Sequence, residues 1–331
     1  MLKADAYGLG AVPVARALQS LHEVWGFGIA TVDEGTLLRR AGINARLLCC
    51  TPVLIGELAT MHTSNITPSL SRIPDIMRWT SLGNAPWHLS IDTGMNRAGV
   101  PWNEVAPLRD IIASHPPEGV FTHFAAAAVI ADSSRAHQEV RFQHALSDCG
   151  VRQANPRTLV HVDSSMGLAA RSPSPYDLAR PGVALYGWPS NSALGVESTF
   201  VLRSRVVDLR LVPAGDTVSY NGTWIADSPR TIATISIGHA DGYRRQLSNA
   251  GQVVISGTRC SVVGLVTMDM IMVDVTDVHC EVGAVATLIG GNDPNALSLD
   301  EVAAQGKLSP YELLVGLRMR LSRVYTGLNQ A

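Results

Sequence analysis

Two hydrophobic rhythms share this chain, and the first of them most constrains the fold. Residues 1–187 carry eight short apolar runs: Met1–Ala4, Trp25–Ala30, Ala45–Cys50, Asn65–Pro68, Trp87–Asp92, Gly119–Phe124, Thr158–Val162 and Gly182–Tyr186. Amphipathic stretches such as VPVARALQSLH, TVDEGTLLRRAG, EVAPLRDIIASH and RAHQEVRFQHALSD separate most of them. Buried strands alternating with helices build a parallel sheet, because parallel neighbours need a helix-length crossover. Eight such repeats close a (β/α)8 TIM-like barrel. A doubly wound open sheet is the competing architecture, but its GxGxxG phosphate fingerprint after a strand is missing.

The second rhythm begins after WPSNSALGVES (188–198), a linker-like stretch rich in Ser, Gly and Pro. From about Phe200 the chain reads as short β runs: FVLRSRVVDLRLV, TIATISIG, QVVISG, SVVGLVTMDMIMVDVT and AVATLIG. Frequent turn residues between them predict an all-β domain. Pro310–Val324 fits either a helix or a closing strand. The expected division is a β/α barrel over 1–195 and a β domain over 196–331. A barrel strand ordinarily runs five or six residues, yet Lys3 already ends the first run. A clipped barrel entry, with a segment missing before Met1, is the expectation.

Composition narrows the partners. The 331 residues are 46% hydrophobic and 16% charged, which supplies a core and argues against disorder. Net charge is −2 and the basic residues are scattered, so no nucleic-acid stripe exists. No run of 18 uncharged apolar residues appears, which predicts no membrane span. The opening MLKADAYGLG resembles no secretory leader. Five cysteines, odd in number and without a CxxC pair, predict neither a disulfide framework nor a zinc site. The reducing cytoplasm fits that usage.

Lysine is scarce. Lys3 and Lys307 are the two in the chain, and 24 arginines supply the other positive side chains. Lys3 ends an apolar run and precedes ADAYGLG, a glycine-containing turn. Reactive side chains of a barrel gather where strands end at the C-terminal face. On position alone, a lysine so near a terminus is more simply a solvated charge.

Its surroundings point further. KADAYGLG resembles the pyridoxal-phosphate lysine motif of the alanine racemase family, and six more segments resemble that family in the same order. They are DTGMNRAGV (92–100), FTHFA (121–125), LARPGVALYG (178–187), GDTVSYNGTW (215–224), IGHADGYRR (237–245) and VTMDMIMVDV (266–275). The resemblance spans nearly the whole chain. It implies a barrel followed by a β domain, and a cytoplasmic homodimer with shared active sites. The implied activity is pyridoxal 5'-phosphate-dependent interconversion of L- and D-alanine, supplying D-alanine for peptidoglycan.

The resemblance also implies roles. Lys3 is expected to hold the cofactor covalently, since a lysine amine turns nucleophilic once its environment depresses the ordinary pKa of ~10.4. Tyr7 is expected on the phosphate, with Ser165 and the amides of Gly182 and Val183. Read alone, Ser165 is equally a helix cap. Arg180 matches the arginine facing the pyridine nitrogen, where a guanidinium that keeps its proton leaves that nitrogen unprotonated. Arg97 matches the residue contacting the cofactor phenol oxygen and the substrate carboxylate, for which a guanidinium fork is suited. His123 matches the histidine between Arg180 and the catalytic tyrosine. Tyr220 matches the second base, contributed by the other subunit together with Met268 and Asp269 at the substrate. Racemisation needs a base on each face, and a phenol titrating near pH ~10 needs positive neighbours.

Four positions depart from the family pattern. Ser90 stands where many members carry a carboxylated lysine, so a small anion or water is expected beside Arg97. His239 replaces an entrance tyrosine, Met319 aligns with another tyrosine, and Ser164-Ser165 replaces Asn-Ser. A racemase of broader scope or for serine, a non-catalytic cofactor-binding homeostasis protein and a barrel-type decarboxylase are the alternatives. The homeostasis class lacks the β domain, and the decarboxylases set an acidic residue where Arg180 stands.

Overall fold

The computed structural model describes residues 1–127, 133–189, 193–317 and 320–327. They form two compact bodies, one built on Met1–Ala184 and one on Gly195–Gly327. The Met319 position lies outside the described residues.

The first body is a parallel sheet with intervening helices. Its strands are β1 (Phe27–Ile29), β2 (Leu47–Cys49), β3 (Ile66–Leu70), β4 (His88–Asp92), β5 (Val100–Pro101), β6 (Gly119–Phe121), β7 (Leu159–Ser164) and β8 (Leu178–Arg180). They lie in the order β1-β2-β3-β4-β6-β7-β8, with the two-residue β5 paired to β4. Met1 and Leu2 bridge the first and last strands. The Leu2 amide donates to the Gly28 carbonyl at 2.7 Å, and the Met1 amine donates to the Pro181 carbonyl at 2.8 Å.

Two predicted strands are corrected at the site itself. Met1–Ala4 is not a strand beyond those two bonds, because Ala4, Asp5, Ala6 and Tyr7 all take left-handed φ values of 53–57°. Gly182–Tyr186 is not the eighth strand. Pro181, which has no N–H and a fixed φ, ends β8 at Arg180, and Val183–Tyr186 turns into a 3-10 helix.

Alternation along the strands builds the interior. Register pairs His88 with Gly119, and Ser90 with Phe121, which in turn pairs with His161. These residues therefore form two successive inward layers. The helix Val32–Arg40 starts at a capping box in which Thr31 accepts from the Glu34 amide at 3.2 Å. That helix packs Gly35 so closely that an added Cβ would lie 2.5 Å from Ile66.

The second body is antiparallel. It adds β9 (Leu202–Val212), β10 (Thr217–Val218), β11 (Trp224–Ile225), β12 (Arg230–Ile235), β13 (Gln252–Ile255), β14 (Thr258–Ser261), β15 (Ile271–Asp274) and β16 (Val285–Ile289). Six of them run β14-β13-β16-β9-β12-β15, and β10 pairs with β11. Val212, Val218, Ala226, Ile232 and Val263 form one of its apolar clusters. The sheet is joined by two short helices, Leu299–Gln305 and Pro310–Val315, the first capped reciprocally by Ser298 and Glu301. The helical alternative thus holds for the start of the last stretch.

Candidate active site

Lys3 opens the left-handed turn and is exposed, while Leu2 before it and Tyr7 after it are buried. Left-handed backbone costs a non-glycine residue roughly 1–2 kcal/mol, so four in succession need support. They have it. The Ala4 amide donates to Glu34 Oε1 and the Ala11 amide donates to Asp5 Oδ1, each at 2.7 Å. Gly8 and Gly10, both at positive φ, return their amides to Ala4 and Asp5 carbonyls at 2.8 Å. Glu34 thereby caps its own helix and fixes the lysine turn.

The turn delivers the Tyr7 hydroxyl against Gly182. A Cβ on Gly182 would lie 2.2 Å from Tyr7 Oη, so only glycine permits this approach. Ser165 is buried, and its Oγ accepts from the Gly182 amide at 2.7 Å and the Ala184 amide at 3.2 Å. The helix cap here is Ser164, and Ser165 is the first helical residue. Tyr7, Ser165, Gly182 and Val183 thus meet at one place.

Arg180 is heavily bonded. Nη1 donates to His161 Nδ1 and to the His161 carbonyl, both at 2.9 Å. Nη2 donates to the Thr122 carbonyl at 2.9 Å and the Val162 carbonyl at 2.8 Å, with His123 Nδ1 at 3.3 Å. The Nη hydrogens are thereby taken, which leaves the Nε–H of a five-donor group for a ligand. No carboxylate touches this guanidinium among the described residues, and burial lowers its pKa to about 10. Its plane lies over Phe121, with Cζ 5.0 Å from the ring centre.

His123 is brought to Arg180, and its pKa falls to about 3 through burial and the charges of Arg180, Arg97 and Lys3. It is a neutral imidazole at ordinary pH. Arg97 is exposed on a loop that Asp92 organises, accepting from the Gly94 amide at 2.8 Å and the Asn96 amide at 3.2 Å. Gly99, at φ 129°, closes that loop where a Cβ would lie 2.3 Å from the Asp92 nitrogen. Ser90 is buried on β4.

Tyr220, Met268 and Asp269 lie in the other body. Tyr220 is 66% exposed and Met268 58% exposed. Ser219 and Asn221 flank the tyrosine at φ 68° and 63°, and Ser219 Oγ donates to the Leu265 carbonyl at 2.7 Å. The amides of His239 and Ala240 donate at 3.0 Å to the carbonyls of Thr267 and Met268, which locks the exposed His239 loop to the Met268–Asp269 loop. Gly238 is required there, since a Cβ would lie 2.3 Å from the Met268 carbonyl oxygen.

Sequence reasoning missed several groups. Arg320 donates to Asp241 through Nε at 2.6 Å and to Asp269 through Nη2 at 2.8 Å, clamping the same two loops. His161 Nε2 faces His88 Nδ1 at 2.8 Å, both rings buried. A polar residue at an inward position of an apolar strand run was the available signal for both histidines. The T-x-x-E capping signature at Thr31–Glu34 was the signal for Glu34.

Comparison with known proteins agrees in both bodies. Residues 1–189 match the family model described as alanine racemase, N-terminal domain, and residues 199–325 match alanine racemase, C-terminal domain. The chain is 37% identical to the alanine racemase of Geobacter sp. strain M21, over 99% of this chain and 91% of the relative. It is 34% identical to that of Symbiobacterium thermophilum, over 99% and 90%. The crystal structure of alanine racemase from Bartonella henselae with covalently bound pyridoxal phosphate superposes with a TM-score of 0.87 at 29% identity, over 98% of this chain and 91% of that one.

Proposed function

The chain belongs to the alanine racemase family, and from that premise we propose that it interconverts L- and D-alanine with pyridoxal phosphate, as a cytoplasmic enzyme supplying D-alanine for peptidoglycan. The observation that carries the reading is Arg180, whose Nη groups are engaged by carbonyls and imidazoles, which no carboxylate touches among the described residues, and whose Nε–H is left for a ligand. The acidic residue of the decarboxylase alternative has no counterpart there among the described residues.

The residues present fit the cofactor. Tyr7 Oη lies against Gly182, whose amide is bonded to Ser165 Oγ, with Val183 next in the chain; hydroxyls and amides gathered in this way suit a phosphate. Lys3 would hold the aldehyde carbon, and Arg180 would offer Nε–H to the ring nitrogen. When bound, the cofactor supplies the electron sink that acidifies the substrate α-C–H.

The chain's own groups do the rest. Arg97, exposed and forked, binds and orients the alanine carboxylate. His123, held neutral, passes the influence of Arg180 towards the second base without adding a charge. Lys3 Nζ takes and returns the α-proton on the D face, and Tyr220 Oη of a second copy does so on the L face. Met268 and Asp269 of that copy border the substrate. The exposure of Tyr220 and Met268 supports their use in a homodimer with shared sites.

The test is direct. Protein loaded with pyridoxal phosphate and given L-alanine in D2O should yield D-alanine with deuterium at the α-carbon. Loaded protein that leaves the α-proton unexchanged overturns the reading.

A further inference from the structure

We propose that Glu118 and His88, at the opposite end of the barrel strands from Arg180, are positioning residues for it: the Glu118 carboxylate faces the last ring of a one-way run of hydrogen bonds, His88 to His161 to Arg180, and so favours a His161 that presents an unprotonated Nδ1 to the guanidinium. The consequence for catalysis rests on Arg180 facing the cofactor ring. The run of bonds does not.

A guanidinium only donates, so His161 Nδ1, 2.9 Å from Nη1, must accept. A neutral imidazole with an accepting Nδ1 carries its proton on Nε2. That proton points at His88 Nδ1, 2.8 Å away, which must accept in turn. The His88 proton then sits on Nε2, facing Glu118 Oε2 at 3.6 Å. Both of those atoms are buried, and among the described residues neither has a hydrogen-bond partner, so at this separation the carboxylate attracts the N–H by charge and not through a formed bond. Glu118 is the natural end of the run, since a carboxylate accepts and cannot pass a proton onward. Arg46 Nε stands 3.6 Å from its other oxygen.

The surroundings are shaped to this arrangement. Gly119 leaves room for the His88 ring, where a Cβ would lie 2.4 Å from Cε1. Trp25 lies against His88 at 5.3 Å between ring centres, and Phe121 stacks on His161 at 4.9 Å and 22°. The rings cannot turn to escape a mismatch. Without an acceptor at position 118, His88 relieves its buried N–H by moving the proton to Nδ1, where it opposes the His161 N–H. The fault then reaches Arg180, which loses an Nη1 bond and with it the aim of Nε.

The experiment is nitrogen NMR of the full chain, labelled with 15N-histidine and free of cofactor, so its outcome is independent of racemase activity. Wild type should show His161 and His88 each protonated on Nε2 alone. Glu118→Leu should mix the tautomers of both, and Glu118→Gln, which keeps an accepting oxygen, should restore them. In the loaded enzyme Glu118→Leu should lower kcat about tenfold with a smaller change in KM, and Glu118→Gln should recover most of that loss. A His161 proton on Nδ1 in wild type overturns the proposal with no variant needed. So do tautomers unmoved by Glu118→Leu, or moved tautomers with kcat unchanged.

Discussion

The two bodies handle their functional groups in opposite ways. The barrel body sinks several of them: Tyr7, Ser165 and His161 are buried and Arg180 is held by carbonyls and imidazoles, while Lys3 and Arg97 stay exposed. The β body displays them. Tyr220 and Met268 stand exposed, and Asp269 is clamped from its own side by Arg320. A group that must bind tightly is built into a dry, bonded setting, where polar contacts are strong and reorganisation is small. A group that acts on something brought to it must be left in the open on a stiff loop. On the proposed function, the barrel would be one half of a site and the β body the half offered to another copy.

The sharpest way to break this contrast is to remove the lysine. Lys3→Ala should abolish covalent capture of pyridoxal phosphate, while Lys307→Ala, in the β body, should leave it intact. Borohydride trapping and peptide mapping read the outcome. Label on Lys307, or on neither, would show that the barrel's half of the site is misplaced.

Next in size is the displayed tyrosine. A general base typically contributes about 10²–10⁴-fold, so Tyr220→Phe should cut racemisation by that order with cofactor loading unchanged. Mixing Lys3→Ala with Tyr220→Phe subunits should restore about a quarter of wild-type sites, because two-fold symmetry gives each hybrid one site with both bases. No recovery after verified subunit exchange would mean that the exposed face of the β body is not what completes the barrel.

How much of this contrast was legible in the sequence differs between the two bodies. The motifs around Lys3, Arg97, Arg180 and Tyr220 were readable as local strings, and so were six of the parallel strands, β1 to β4, β6 and β7. The lysine turn was not, because four non-glycine residues in left-handed backbone are held by Glu34, thirty residues away, and by Asp5 folding back on Ala11. A strand pattern at Met1–Ala4 is the natural misreading. The end of β8 was blurred for a similar reason: the apolar run continues past Pro181, and only the missing N–H marks the stop. The His161–His88 pairing needed the registers of β4, β6 and β7, which no local pattern carries.

A smaller effect sharpens the barrel side. Gly182→Ala places a Cβ about where Tyr7 Oη sits, and overpacking of that kind costs about 1–3 kcal/mol. Expressed as cofactor affinity, the loss is about tenfold to a hundredfold, read by titrating pyridoxal phosphate into the variant. An unchanged affinity would show that the Tyr7–Gly182 contact is not at the phosphate site.

The smallest effect separates the bodies by acid. His123, His88 and His161 all have depressed pKa values in the fold, through burial first and then the Arg180 charge, which acts on each of them. Unfolded, they take up protons near pH ~6.5, whereas folded His123 does so only at about 3. Between those values the unfolded chain binds more protons, so stability is whole above the upper limit and falls as pH drops through the window. Each such imidazole contributes up to about 1.4 kcal/mol per pH unit. Hydrogen exchange read peptide by peptide, stepping from pH 7 downward, should therefore open the strands β4, β6 and β7 before β9, β12 and β16. Simultaneous opening of both sets would show that the buried histidines of the barrel do not set its acid limit. Replacing His161 with a non-titrating Gln should in that window flatten the barrel's loss with pH, even though the variant starts from a less stable fold.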